Sequence, residues 1–170
     1  LLAGELPSGV FLRSCSGLTA FGASEIPTEA GTKVKGKGKE GTMSREIIQP
    51  ENLWDPRPRF AQVSRHGNTV YVAGQTPVDA NGNVVGKGSI EAQAQQVFEN
   101  IKKCLASSGA TFDNVMKINI YSTDIDNHIA PVSKVRNEYL TEVVPSTYVE
   151  VPRLVDPDWL LEIEAIAMLD

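Results

Sequence analysis

The stretch Phe60-Ala-Gln-Val-Ser-Arg-His-Gly-Asn-Thr-Val-Tyr-Val-Ala-Gly-Gln75 reads as a β-hairpin. Two runs rich in β-formers flank His66-Gly-Asn68, where Gly and Asn accept the positive φ of a tight turn. Residues 77–88 carry Pro77, Asp79, Asn81, Gly82, Asn83, Gly86 and Gly88, the composition of a loop. Ser89 is placed to cap a helix. Ala94, Val97, Phe98, Ile101, Cys104, Leu105 and Ser108 follow at helical spacing, and Gly109 stands at the expected C′ position. Val115–Ser122 alternates as a strand. Asp124 or Asp126 caps a second helix over roughly 127–143. Thr147–Val151 and Leu160–Met168 are the last strands. The order β-β-α-β-α-β-β predicts an α+β fold, a two-layer sandwich of a mixed sheet with two helices on one face. Val70, Val72, Ile118, Ile120 and Val149 are assigned to the opposite face, where another subunit would cover them.

Composition suits one globular domain: 170 residues, 41% apolar and 22% charged. No apolar run is long enough to span a membrane. Cys15 and Cys104 lie far apart, and Cys104 falls on the apolar face of the first helix, so a buried thiol in a reduced, cytoplasmic compartment is expected. Residues 1–42 show no sustained period and end in Lys33-Val-Lys-Gly-Lys-Gly-Lys39, ahead of Met43-Ser-Arg-Glu. They read as a leader, whether vector-derived, translated upstream or targeting, and 43–170 as the folded domain. Of the 16 basic and 21 acidic residues, five and four lie in 1–42, which leaves the domain with 11 and 17 and a formal charge of −6. A phosphate-backbone binder needs a basic surface, so no nucleic-acid partner is expected.

Several segments resemble the RidA (YjgF-like) imine-deaminase family, also known as endoribonuclease L-PSP. Val72-Ala-Gly-Gln75-Thr-Pro77 is similar to its "SGQ-P" strand end, and Asn100–Gly109 with Asp113–Ile120 to its first helix and next strand. Asp124–Val135 is similar to its second helix, and Glu150-Val151 with Leu161-Glu-Ile-Glu-Ala-Ile-Ala167 to its C-terminal strands. The resemblance covers about 45–168. It implies a chorismate-mutase-like fold, a homotrimer with small-molecule clefts between subunits, and hydrolysis of 2-imino or 2-aminoacrylate species without metal or organic cofactor.

The resemblance also implies site residues. The pocket glycine matches Gly74, with Ala73 and Gln75 beside it, and the last-strand acid matches Glu162, the candidate catalytic residue. The family tyrosine falls at Phe60, its second-helix asparagine at Ser133, and its carboxylate-binding arginine at Ser146 or, one residue on, Thr147. A guanidinium offers a charged two-pronged donor where a hydroxyl offers one neutral bond. Losing such a pair costs about 2–5 kcal/mol of binding. The usual small 2-imino acid is therefore not the expected substrate, and an aminomuconate-like one is a candidate. Arg136, set among Ile129, Val132, Val135, Tyr139, Leu140 and Val143, is read either as a replacement anion binder or as an interface arginine. Tyr148 shares a strand face with Ser146 and could return the hydroxyl missing at Phe60. Glu162 and Glu164 share a face two residues apart, close enough to perturb each other's protonation. His66 and His128 lack metal-ligand spacing. Three readings stay open: an imine or enamine hydrolase, a non-catalytic small-molecule-binding trimer, and an endoribonuclease or translation inhibitor.

Overall fold

A computed structural model describes residues 44–170 and the backbone of Val34–Lys35. The leader assignment otherwise concerns residues outside those described, Cys15 among them. Seven strands form one mixed sheet: β1 (Val34–Lys35), β2 (Glu46–Ile48), β3 (Val63–His66), β4 (Thr69–Gln75), β5 (Val115–Ser122), β6 (Ser146–Glu150) and β7 (Leu161–Met168). Their order across the sheet is β1-β2-β3-β4-β7-β5-β6. All neighbours run antiparallel except β5 and β6, which are joined through a helix and pair parallel. The two helices are α1 (Ile90–Ser107) and α2 (Ile125–Tyr139). This is the expected α+β architecture with two added edge strands. β2 lies within the expected 43–170 domain but ahead of its first expected strand, and β1 lies inside the segment set apart as a leader. Strands of two and three residues are too short to show a period, so the sequence carried no signal for them.

The hairpin, the first helix and β5 fall where expected. Ser89 caps α1 by accepting from the Ala92 amide, and Gly109 takes a positive φ of 82° just beyond it. Asp124, not Asp126, caps α2. That helix ends at Tyr139, so Val143 is not part of its stripe and is 99% exposed.

The sheet faces are assigned the other way round for four residues. Val70, Val72, Ile118 and Ile120 are buried in the core with Val97, Phe98, Ile101 and Ile163; only Val149 of the expected set lies partly open. The open face carries Ser64, Tyr71, Lys117, Asn119, Glu164 and Ile166 instead. Alternation groups residues by face but does not say which face meets the helices.

Two buried amides on α1, seven residues apart, fix the loops at one end of the sheet. Asn100 Nδ2 donates to the Thr76 and Val78 carbonyls at 3.1 and 2.9 Å, just past β4. Gln93 Nε2 donates to the Asp158 carbonyl at 2.7 Å, and its Oε1 accepts from the Leu160 amide at 2.8 Å, just before β7. Both residues are fully buried, so each bond replaces water that cannot reach the group. Gln93→Leu leaves two backbone groups unpaired at about 1–3 kcal/mol each. We expect a destabilisation of that order in urea unfolding, with a shift in the emission of neighbouring Trp159.

Candidate functional site

Between those two loops lies a cavity of about 200 Å³. Its walls include Trp54, Arg59, Phe60, Gly74, Trp159 and Glu162. The pairing of β4 with β7 slips between Val72↔Ala165 and Gln75↔Ile163, so β4 carries one residue more than β7 there. This bulge puts Gly74 against the Glu162 side chain. A Cβ at position 74 would overlap Glu162 Oε1, so only glycine leaves room for the carboxyl in this pose.

Glu162 and Glu164 share the open side of β7, but their surroundings differ. Glu164 Oε1 accepts from Asn119 Nδ2 at 2.7 Å and from the Tyr121 hydroxyl at 3.0 Å. Glu162 makes no hydrogen bond or ion pair among the described residues. Burial raises its pKa above the ordinary carboxylate value, and the charge of Glu164 adds to the effect. Glu162 is thus a desolvated acid at a cavity wall, while Glu164 is tied into the sheet surface.

A polar lattice holds the opposite wall. Gln75 Nε2 donates to Gln62 Oε1 at 2.7 Å and to the Ala73 carbonyl at 3.0 Å, and Gln62 Nε2 donates to the Trp54 carbonyl at 2.9 Å. Gln75 lines the cavity as expected, yet its amide is spent on this lattice. Trp54 meets Phe60 edge to face with ring centroids 6.2 Å apart.

The expected site residues fall into two groups. Phe60, Gly74, Gln75 and Glu162 come together in the cavity. Ala73 points instead into a separate hollow of about 320 Å³ on the open face, with Tyr71, Lys117 and Glu164. Ser133, Arg136, Ser146 and Tyr148 line neither. The Arg136 guanidinium donates to Asn137 Oδ1 at 3.1 Å, so within one chain it does not stand in for the missing arginine. Ser146 is exposed on β6, and Tyr148 packs against the core beside Ile120. Arg59, Trp54 and Trp159 also line the cavity and carry no signal in the sequence. They lie in irregular segments without period or motif, and nothing local marks a side chain as facing a cavity. A buried Ser122 Oγ···His128 Nδ1 contact of 2.8 Å, marked by no sequence pattern, ties α2 to β5 away from both hollows.

The endoribonuclease L-PSP family model matches residues 51–169. The chain belongs to this family. Among curated relatives, a RutC family protein of Pyrococcus abyssi is 39% identical over 126 residues, covering 74% of this chain and 98% of that protein. The 3-aminoacrylate deaminase RutC of Acinetobacter baylyi is 35% identical over 125 residues, covering 74% and 98%. Of solved structures, yeast Mmf1 superposes with a TM-score of 0.70 at 29% identity, covering 75% of this chain and all of that one. The Escherichia coli YjgF product superposes with a TM-score of 0.66 at 28% identity, covering 72% and 97%. The sheet with two helices is thus the fold of the L-PSP/YjgF family.

The Gly74–Glu162 contact gives a direct test. The overlapping atoms belong to the mobile end of the glutamate, so Gly74→Ala displaces the carboxyl rather than the fold. We expect thermal unfolding within a few degrees of the wild type, while the raised carboxyl pKa, followed by NMR of labelled glutamate, falls toward the ordinary value.

Proposed function

We propose that this protein is an imine or enamine deaminase in which Glu162 handles the protons. The observation that carries the reading is a desolvated, unpartnered carboxyl in a small cavity, against a glycine that makes room for it. A carboxyl whose pKa is raised keeps its proton to higher pH, which suits it to general acid catalysis. With an enamine, neutral Glu162 gives its proton to the carbon and leaves a C=N bond. Water adds to the C=N carbon and returns a proton to the carboxylate. That proton passes to nitrogen, and as the C–N bond breaks the hydroxyl proton returns to the Glu162 carboxylate, giving the carbonyl product and ammonia and restoring the neutral acid. The relative named as a 3-aminoacrylate deaminase supports this class of chemistry. The size of the cavity suits a metabolite better than an RNA strand, and the acidic domain lacks the electrostatic footprint of a nucleic-acid binder. Ser146, matching the family arginine, points to a substrate other than the usual small 2-imino acid.

The test is ammonia release from imines generated in place by an amino-acid oxidase, and from 2-aminomuconate. We expect acceleration with at least one substrate and a loss of about 10²–10⁴-fold in Glu162→Gln, the range of general acid catalysis. No acceleration across the panel would leave a binding protein. The rate with enamine substrates should fall as pH rises through the raised pKa of Glu162.

The same shift predicts a stability effect. A folded-state pKa above the unfolded one means that the fold disfavours ionisation of Glu162, and that this cost vanishes once pH drops below the unfolded value. Glu162→Gln should therefore melt higher than the wild type at pH 7. The difference should shrink as pH falls through the folded pKa and close below the ordinary carboxylate range.

We also propose a homotrimer built on the open sheet face, where Tyr71 and Met168 are 50% and 49% exposed and Ile166 lies directly opposite Tyr71. A neighbouring copy would then bring Ser133, Arg136, Ser146 and Tyr148 toward the cavity of the first. Light scattering should give three times the chain mass, and Tyr71→Glu, which puts a charge on that face, should lower it.

A further inference from the structure

Arg59 is exposed at the wall of the Glu162 cavity, and its guanidinium makes no hydrogen bond or ion pair among the described residues. Nearby Arg57 behaves differently: it is held by Asp55 in a two-pronged ion pair. Arg59 and Glu162 are the only charged side chains among those lining the cavity, and they form no ion pair with each other. A cation and a reactive acid thus share one small space without quenching each other. The segment bearing Arg59 is well anchored: its amide donates to the Pro56 carbonyl at 3.1 Å, and Gln62 holds the Trp54 carbonyl. Arg59 is therefore presented from a braced turn, where less freedom is lost on binding an anion.

Beside the amide wall of Gln62 and Gln75, the cavity presents flat apolar surface. The chain has two tryptophans, Trp54 and Trp159, and both line this cavity with Phe60 and Leu53. The Trp159 indole N–H is buried without an acceptor among the described residues, a donor for an acceptor brought from outside. A guanidinium recognises carboxylate, and indole faces recognise flat conjugated surface.

We propose that Arg59 is the carboxylate-binding residue of this cavity, and that its ligand is a planar, conjugated acid seated against Trp54 and Trp159. This rests on the deaminase reading for its catalytic meaning: Arg59 would hold the substrate carboxylate where Ser146 replaces the family arginine. Substrate choice then shifts from the smallest imino acids to enamine or imine acids with an unsaturated or aromatic body.

The test measures binding apart from turnover. Cinnamate, a planar conjugated carboxylate, and its neutral amide are titrated into the full chain by calorimetry. Cinnamate should bind about tenfold or more tightly than the amide, the worth of a charge-assisted bond. Arg59→Met should weaken cinnamate to the level of the amide and leave the amide unchanged; Arg59→Lys should keep part of the difference. Trp54→Leu should weaken both ligands alike. Equal affinity for acid and amide, no cinnamate binding, or an Arg59→Met variant that binds cinnamate like the wild type would overturn the proposal. Because Arg59 is exposed, unchanged melting of both variants is expected and shows that they fold. Cinnamate binding that survives Glu162→Gln, with no ammonia released from any substrate, would remove the deaminase reading and leave Arg59 as the anion site of a binding protein.

Discussion

The site depends on two amides buried on one face of α1. Gln93 and Asn100 sit where a leucine would satisfy the helical stripe, yet each spends its side chain on the backbone of a loop. One loop continues β4 past the Gly74 bulge, and the other leads into β7 and Glu162. With both loops tied to one rigid helix, the two strand ends are held at a fixed separation and the space between them stays open. An apolar substitution would fill the core as well and release both walls. Buried polar networks of this kind define one geometry because partial satisfaction is costly.

Within that frame a single methyl group's worth of space sets the chemistry. The absent Cβ of Gly74 lets the Glu162 carboxyl lie against the strand, partly withdrawn from water and without a hydrogen-bond partner among the described residues. Glu164, two residues on, has the same side chain and the same strand, yet two donors hold it. The difference between an acid available for proton transfer and one committed to the sheet surface lies in neighbours on β4 and β5, not in the residues themselves. The thiol of Cys104 shows the same control by burial, which pushes it up to about 12 and leaves it inert at neutral pH.

Much of the fold was legible because its long elements repeat a pattern. Ser89, the stripe from Ala94 to Leu105, and Gly109 define α1 from cap to stop, and β5 is marked by eight alternating residues. Boundaries failed where the pattern was weak: α2 stops at Tyr139, because Val143 only mimics a further turn, and β1 and β2 are too short to have a period. Of the site, the resemblance located Gly74 and Glu162, which the structure brings into contact. It also implied Ser133 and Ser146, while the helical stripe added Arg136 and strand alternation Tyr148; one chain keeps all four away from that contact.

The sequence by itself determined the α+β class and the order of the long elements, which are written in local periodicity, and its contiguous motifs carried the family resemblance that implied Gly74 and Glu162 as pocket residues. Only the tertiary structure decided which side of the sheet the helices cover. It also decided which of two glutamates is desolvated, and that Arg59, Trp54 and Trp159 share a cavity with the chosen one. These last three residues are drawn from irregular segments a hundred residues apart in the chain at the extreme, roughly, and loops acquire neighbours only through packing. No local pattern in a sequence can encode a contact whose two sides are set by separate strands and a helix that pins them.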